Sequence, residues 1–424
     1  MRDGNIKLSG LFSEASRLIV GIVFSFSGFV KAVDPLGFTY KIQDYLISFN
    51  LPVLFPLAKP AAIMMVVLEL LIGLFLLLGI YRRLSSALAA LFMAVFLPLT
   101  LWIALKNPVE DCGCFGDALI ISNWATFYKN IVLSICAFYL LKGYRHITPL
   151  FLSKTSNIAA LYIILFAVSF SIYNTIRLPV FDFRPFKIGA DIAEQMVIDP
   201  EKGDVTENVF IYSKDGVEKE FTEDDYPWDD STWTYVDMET RTIIEGEKPK
   251  IEDFHLTLYA YDEEQEAYYP EEDITEQVLE ESGYTFLMVS PFLNEMVSSF
   301  AERFYQASVV AKENDVSFYL LTSSSDEEIK KWCESFGYDF DFVMADERVL
   351  MTMIRTNPGL ILLNDGKVVN KWDGYSLPDF SARDIDNYNI SASINMYLWR
   401  KGIIIFALLI IPLFALWTIN RRKS

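Results

Sequence analysis

The sequence predicts an α-helical membrane bundle that carries an extracytoplasmic α/β domain. Three observations support this fold class: long apolar stretches, a sharp segregation of charge, and strands that alternate with helices near the C-terminus. Of the 424 residues, 52% are apolar, yet the formal net charge is −20. Residues 178–396 hold 48 acidic and 17 basic residues, so the rest of the chain is net basic. This acidic field excludes a nucleic acid partner, because phosphate binding needs a basic surface.

Six apolar stretches approach the roughly 20 residues that cross the hydrocarbon core of a bilayer. These stretches are 18–33, 61–80, 87–105, 124–141, 158–176 and 402–418. The first is expected to be an uncleaved anchor, because no small-residue cleavage pattern follows it. Four of the six form a bundle, and two further transmembrane helices enclose the acidic region.

Lys and Arg gather at alternate ends of these stretches. The basic groups are Arg2, Lys7 and Arg17, then Arg82 and Arg83, then Lys142, Arg145 and Lys154, and finally Arg421, Arg422 and Lys423. Because such residues concentrate on the cytoplasmic side, we expect a multi-pass protein of the inner (cytoplasmic) membrane with both termini in the cytoplasm. Segment 34–60, loop 106–123 and the acidic region then face the periplasm.

Glu69 lies in the middle of the second apolar stretch. An ionisable group there costs several kcal/mol unless it is partnered, neutral or close to water. We expect it to face the bundle interior, with Lys31 or Lys129 as its partner. One hypothesis is a proton or lipid quinone site at Glu69 and Lys129, and the alternative is a structural ion pair or a protonated carboxyl.

Cys112 and Cys114 lie in the segment Glu110-Asp-Cys-Gly-Cys-Phe-Gly-Asp117, which the predicted topology places in an oxidising compartment. A disulfide between them would close a very small ring, and the resulting strain would make it a better oxidant or a more labile switch. Three interpretations remain open: a redox-active pair, a structural clasp or cross-link to another protein, and a metal site. Few other ligands are close in sequence, which disfavours a metal.

The membrane part resembles the MauE-like (methylamine utilisation) branch of the DoxX-like membrane family. The motifs that carry the resemblance are Cys-Gly-Cys-Phe-Gly-Asp117, Asn123-Trp, Thr126-Phe-Tyr-Lys-Asn130, Ser27-Gly-Phe-Val-Lys31, Asp34-Pro35, and Glu69 with Gly73. The resemblance covers roughly residues 15–145 and implies a four-helix membrane bundle. It also implies a role in disulfide formation or in the maturation of periplasmic enzymes, which carries over only to Cys112 and Cys114.

The C-terminal half of the acidic region alternates strands and helices. Strands are predicted at 285–290 and 316–322, helices at 295–312, 325–336 and 346–355, and a hairpin at 359–372 around the turn Asn364-Asp-Gly366. This order resembles the thioredoxin-like fold, in which a cis-proline, here Pro358, precedes the hairpin. Where that fold carries Cys-x-x-Cys, this chain has Ser290-Pro-Phe-Leu-Asn-Glu295. Without a thiolate the domain cannot exchange disulfides itself, so we expect a binding or presenting module.

The predicted division is a membrane bundle at 1–145, a linker and fifth helix at 146–177, a strand-rich acidic region at 178–280, a thioredoxin-like domain at 281–396, and a last helix with a basic tail at 397–424. Seven aromatic residues in the strand-rich region are expected to pack in a core, with a docking surface as the alternative: Tyr226, Trp228, Trp233, Tyr235, Tyr259, Tyr268 and Tyr269.

The leading functional hypothesis is a thiol-disulfide protein in which Cys112 and Cys114 take electrons from exported clients, or from a periplasmic thioredoxin-like partner, and pass them to a lipid quinone. One alternative is a non-enzymatic envelope scaffold or assembly factor in which the pair is a clasp. Another is a small-molecule carrier in which the cysteines are incidental.

Overall fold

The computed structural model describes residues 2–109, 111–198, 203, 205–214, 216–223, 225–244, 246, 248–265, 267–380 and 385–423. Its α-helices are α1 (Arg2–Val33), α2 (Pro35–Ser48), α3 (Phe55–Leu78), α4 (Arg82–Lys106), α5 (Asn123–Gly143), α6 (Ser153–Ile176), α7 (Ile192–Met196), α8 (Thr275–Glu280), α9 (Ser298–Glu313), α10 (Asp326–Phe336), α11 (Glu347–Met353) and α12 (Ile394–Lys423). Six of these, α1, α3, α4, α5, α6 and α12, have the length and apolar composition to cross a membrane. The six predicted spans are confirmed as candidate membrane helices.

The strands are β1 (Val205–Lys214), β2 (Val217–Phe221), β3 (Thr234–Ile244), β4 (Thr257–Asp262), β5 (Ala267–Asp273), β6 (Tyr284–Val289), β7 (Ser317–Thr322), β8 (Asp341–Met344), β9 (Gly359–Asn364) and β10 (Lys367–Asp373). They form two sheets, one of three strands in the order β2-β1-β3 and one of seven in the order β10-β9-β6-β7-β8-β4-β5. The predicted strands and hairpin of the C-terminal half are confirmed. The short strand β8 was not predicted.

Helices α1 and α3 pack so closely that glycine is required at their contact. A Cβ atom on Gly28 would lie 2.4 Å from the backbone nitrogen of Leu70, and one on Gly73 would lie 2.3 Å from that of Ser25. Small residues allow such approach between membrane helices, where packing rather than hydrophobic burial drives association. This contact fixes the position of the polar residues that α1 and α3 carry at mid-membrane.

Helix α2 follows α1 after a single residue and lies beside the bundle. Asp34 caps it, because its side chain accepts a hydrogen bond from the backbone nitrogen of Gly37, and Pro35 occupies the first helical position. Most of its side chains are only partly buried. The sequence predicted an outer segment here but no helix.

The central strands β6, β7 and β9 of the seven-stranded sheet are buried on both faces. Strand β6 pairs in parallel with β7 and antiparallel with β9. Alternate residues of β6 enter two different cores: Phe286 and Met288 pack with α9 and α10, whereas Leu287 and Val289 pack with α11 and the segment around Phe254. Strands covered on both faces read as continuous apolar runs, which explains why β6, β7 and β9 were readily predicted.

The edge of this sheet comes from the segment before residue 281. Strand β4 pairs antiparallel with β8, and β5 pairs with β4. The aromatic side chains of the strand-rich region divide between two environments. Tyr268 packs edge-on against Phe342, but Trp228 is 78% exposed, and Tyr235 and Tyr269 are exposed as well. The expectation of core packing is therefore wrong for these three: Tyr235 and Tyr269 lie on antiparallel strands with one face in solvent, and Trp228 lies in the loop between β2 and β3.

Candidate functional site

The loop that contains Cys112 and Cys114 is held by two hydroxyl groups from the bundle. The Ser27 hydroxyl of α1 donates to the carbonyl oxygen of Cys114 at 2.5 Å. The Tyr45 hydroxyl of α2 donates to the carbonyl oxygen of Cys112 at 2.8 Å. A different helix therefore holds the backbone of each cysteine, which restricts where its sulfur can lie.

Between the cysteines the chain turns through a left-handed conformation. Gly113 has φ +65°, which glycine adopts without steric cost, and a Cβ there would approach the Lys41 side chain to 3.2 Å. The Asp111 carboxylate accepts from the backbone nitrogen of Gly113 at 2.6 Å and pairs with the Lys41 ammonium at 2.8 Å. These contacts hold the turn between the two cysteines against α2.

Both cysteines are free thiols, and Cys112 is more buried than Cys114. A hydrogen bond from the Cys112 thiol lowers the pKa of Cys114 to about 6. Burial opposes this shift, and the nearby ammonium groups of Lys129 and Lys31 add to it. The same hydrogen bond, together with burial, raises the pKa of Cys112. The lowered pKa favours Cys114 over Cys112 as the thiolate, which is the form that attacks disulfides.

Lys129 approaches the loop from α5. Its ammonium nitrogen lies over the ring of Phe115, 4.2 Å from the centroid. Phe115 also packs against Phe26 of α1, with the ring centroids 5.4 Å apart. Phe115, the residue after Cys114, thus holds the Lys129 ammonium close to the two cysteines. Lys129 does not contact Glu69, so the two residues predicted to share one site are held by different partners.

Glu69 forms a buried ion pair with Lys31. The Lys31 ammonium lies 2.8 Å from the carboxylate, and the side chains are 3% and 11% exposed. The ring of Phe38 also contacts that ammonium, at 4.9 Å from its centroid. Of the two lysines predicted as partners for Glu69, Lys31 is the one that pairs with it. This pair is electrostatically coupled to Cys114, whose pKa is lowered by Lys31 and raised by Glu69.

An arginine of the acidic domain reaches the same region. The Arg355 guanidinium pairs with the Asp34 carboxylate at 2.9 Å and lies 3.8 Å from that of Asp117, the last residue of the cysteine motif. It also stacks over the ring of Tyr40. Burial alone would raise the pKa of Asp34, but Arg355 overrides it and holds the pKa below its usual range. The sequence offered one signal for this contact, the Asp34-Pro35 motif, but nothing to indicate its partner.

On the domain side, Arg355 stands two residues before Asn357. The Asn357–Pro358 peptide bond is cis, as the resemblance implied. Ser290 begins the segment that stands where the thioredoxin-like fold carries Cys-x-x-Cys. Its hydroxyl donates to the Asn357 side-chain oxygen at 2.6 Å. In the described ranges, no group of three or more His, Cys, Asp or Glu residues is arranged to hold a metal. Glu110, which the motif includes, lies outside the described residues.

Residues 9–143 match the family model of the methylamine utilisation protein MauE. Over these residues the chain is similar to that membrane family. Residues 206–245, which contain the three-stranded sheet, match a domain of unknown function, DUF8463. No curated protein and no solved structure matches the chain. The MauE-like domain contains α1 to α5, the cysteine loop and the Lys31–Glu69 pair, so the candidate site lies within it except for Arg355.

Replacing Lys129 with glutamine is expected to raise the apparent pKa of Cys114 above about 6, because a cation that favours the thiolate is removed. A rise of one unit would slow thiolate alkylation about tenfold below that pKa. The measurement is the rate of N-ethylmaleimide labelling of Cys114 from pH 5 to 9, followed by peptide mass spectrometry. Lys106→Gln, an exposed lysine at the end of α4, is the matched control and should leave the profile unchanged.

Proposed function

We propose that this membrane protein is a thiol-disulfide exchange protein whose reacting groups are Cys112 and Cys114. The observation that carries the proposal is a pair of free thiols in one loop, held by Ser27 and Tyr45, with the Lys129 ammonium over the adjoining Phe115 ring. The lowered pKa of Cys114 supports it. A sulfur with a lower pKa leaves faster when a disulfide is opened.

In the oxidised pair, a client thiolate bonds to the sulfur of Cys112 while the bond between Cys112 and Cys114 breaks. Cys114 leaves as a thiolate, stabilised by Lys129 and Lys31. The second client thiolate then attacks the client sulfur of the mixed disulfide and releases Cys112. The client is oxidised to a disulfide, the pair is reduced by two electrons, and the two client protons pass to the pair or to water.

Reoxidation requires an acceptor of two electrons and two protons, for which a lipid quinone is the proposed reagent. The buried Lys31–Glu69 pair supports this step, because an ionisable pair between two membrane helices, electrostatically coupled to Cys114, offers a route for protons. Lys129 is the second proposed participant, as the cation nearest the loop on α5. The dithiol then becomes a disulfide and the quinone becomes a quinol.

The acidic domain is proposed to be thioredoxin-like and to recruit clients. The strand order β10-β9-β6-β7, with β6 and β7 parallel and α9 between them in sequence, supports this assignment. So does the cis-proline beside Ser290. The domain has Ser290 in place of a nucleophilic cysteine, so binding is the role left to it. Arg355 docks it beside the cysteine loop.

Both termini are proposed to be cytoplasmic, with the loop and the domain in the periplasm. The contacts Arg355–Asp34 and Lys41–Asp111 support one part of this arrangement, because they join the domain, α2 and the loop on one side of the bundle. The basic groups at the other ends of the helices support the rest.

The test follows the redox state of the pair in membranes. After treatment with dithiothreitol and then with a short-chain quinone, thiols are trapped with a maleimide and located by mass spectrometry. The proposal expects Cys112 and Cys114 to become unreactive with quinone and reactive again with a reduced client peptide. Cys136→Ser, which alters a cysteine inside α5, is the matched control and should cycle normally.

A clasp or scaffold role is favoured by one observation, the fixing of the loop by Ser27, Tyr45 and Lys41. In that case the redox state of the pair would not respond to quinone or client. Cys112→Ser and Cys114→Ser would then lower the thermal stability of the protein without changing client oxidation. Loss of client oxidation with intact stability supports exchange instead.

A further inference from the structure

A basic cavity lies where the acidic domain meets the membrane helices. Its volume is about 170 Å³, and its walls come from the end of α6, the segment that follows it, strand β10 and the first turns of α12. It shares no lining residue with the cysteine loop. Five cationic side chains line it: Arg177, Arg184, Lys187, Lys371 and Lys401.

The cations of this cavity outnumber its acids. Two carboxylates line it, and they neutralise only part of the charge: Asp373 pairs with Arg177, while Asp182 is shared by Arg184 and Lys371. Burial lowers the pKa of Lys371 to about 8, with Asp182 opposing the shift, so this ammonium remains charged at pH 7. A positive excess is unusual in a domain whose overall charge is strongly negative.

Two of the cations have no carboxylate partner among the described residues. Lys187 is exposed, and the ammonium of Lys401 lies over the ring of Tyr397, 4.3 Å from its centroid. They come from different parts of the lining, one from the segment after α6 and one from α12. An anion in the cavity can therefore be approached by both ammonium groups.

The lining of the cavity also has an apolar part, its floor, to which Leu398 and Ile394 of α12 and Val180 belong. Helix α12 packs on the rest of the protein less than any other candidate span, with 6% of its most apolar window buried. In a bilayer, most of its surface is therefore available to acyl chains.

We propose that this cavity binds the phosphate group of an anionic phospholipid from the leaflet on the domain's side. The phosphodiester lies between Lys187 and Lys401, and the acyl chains run along the exposed face of α12. Phosphate is the chemistry that the site recognises, since lysine binds it as a point charge. The lipid is the source that the apolar floor favours over a free phosphate ion.

The test uses the full-length protein in detergent, with native mass spectrometry to count bound lipid. Phosphatidylglycerol is titrated against phosphatidylcholine, and inorganic phosphate is added in a separate arm. The expected result is a retained phosphatidylglycerol that phosphatidylcholine does not replace. Lys187→Gln/Lys401→Gln should bind one such lipid fewer, with an affinity at least fivefold weaker at that site.

Lys59→Gln/Lys106→Gln is the matched control, because it removes two exposed lysines from the same side of the bundle. It should retain the lipid, as should Lys187→Arg/Lys401→Arg. Equal lipid binding by the glutamine variant and the wild type would overturn the proposal. An equal rise in melting temperature with inorganic phosphate and with phosphatidylglycerol would also overturn it. The acyl chains would then contribute nothing to binding. If a variant fails to fold, the comparison of the two lipids on the wild-type protein still tests the proposal.

Discussion

Lys31→Met is expected to destabilise the membrane bundle by about 3–5 kcal/mol, the typical cost of removing one partner from a buried ion pair. The variant leaves the Glu69 carboxylate at mid-membrane with its charge uncompensated and 11% of its side chain exposed. The free energy of unfolding, measured by denaturant titration in mixed micelles and followed by tryptophan fluorescence, gives the result. Glu69→Met should cost a similar amount, since it strands the ammonium of Lys31 instead.

The double variant Lys31→Met/Glu69→Met is the decisive comparison. Replacing a buried pair with apolar residues of similar volume is often neutral or stabilising, so the double variant should be more stable than either single one. Strict additivity of the two losses would contradict a direct interaction. The Cys114 labelling profile adds a readout that a purely structural pair would not move: Lys31→Met alone should shift it to higher pH, because Lys31 lowers that pKa.

The parts of the fold that were predicted are those whose signal is local. Long apolar runs indicated all six candidate spans, and the turn Asn364-Asp-Gly366 indicated the hairpin of β9 and β10. The cost of a buried charge predicted a partner for Glu69 within the bundle, and Lys31, near the outer end of the first stretch, was one of the two lysines named. Each of these inferences needs only composition, spacing or the cost of a buried charge.

The parts that were missed depend on contacts between distant segments. Strand β4 joins the sheet through β8, whose four residues are too few to show a pattern. The ion pair of Arg355 with Asp34 joins residues 321 positions apart. Helix α2 has 14 residues and no long apolar run, so the sequence did not distinguish it from a loop. The loop between β2 and β3 leaves Trp228 in solvent, and aromatic composition alone does not distinguish that outcome from a core.

The most buried ion pair between the acidic domain and α2 is the one that Arg355 forms with Asp34. Arg355→Met is expected to cost about 3–5 kcal/mol of docking and folding free energy, because Asp34 would keep its charge in a site where its side chain is 18% exposed. Hydrogen–deuterium exchange should rise in α2 and in the cysteine loop, which adjoin the lost contact. Arg348→Met is the matched control, since Arg348 pairs with Asp44 while 76% exposed and should change little.

The pH dependence of this docking follows from the same pair. The pKa of Asp34 is lowered in the folded protein, so the carboxylate contributes stability that is fully present above its unfolded pKa of about 4 and is lost as pH falls through the lower folded value. Exchange in α2 should therefore be constant from pH 5 to 8, after correction for its intrinsic rate, and should rise below about pH 4. Asp34→Asn keeps an N-cap acceptor for Gly37 but removes the charge. It should abolish this acid response, and an unchanged response would assign it to another group.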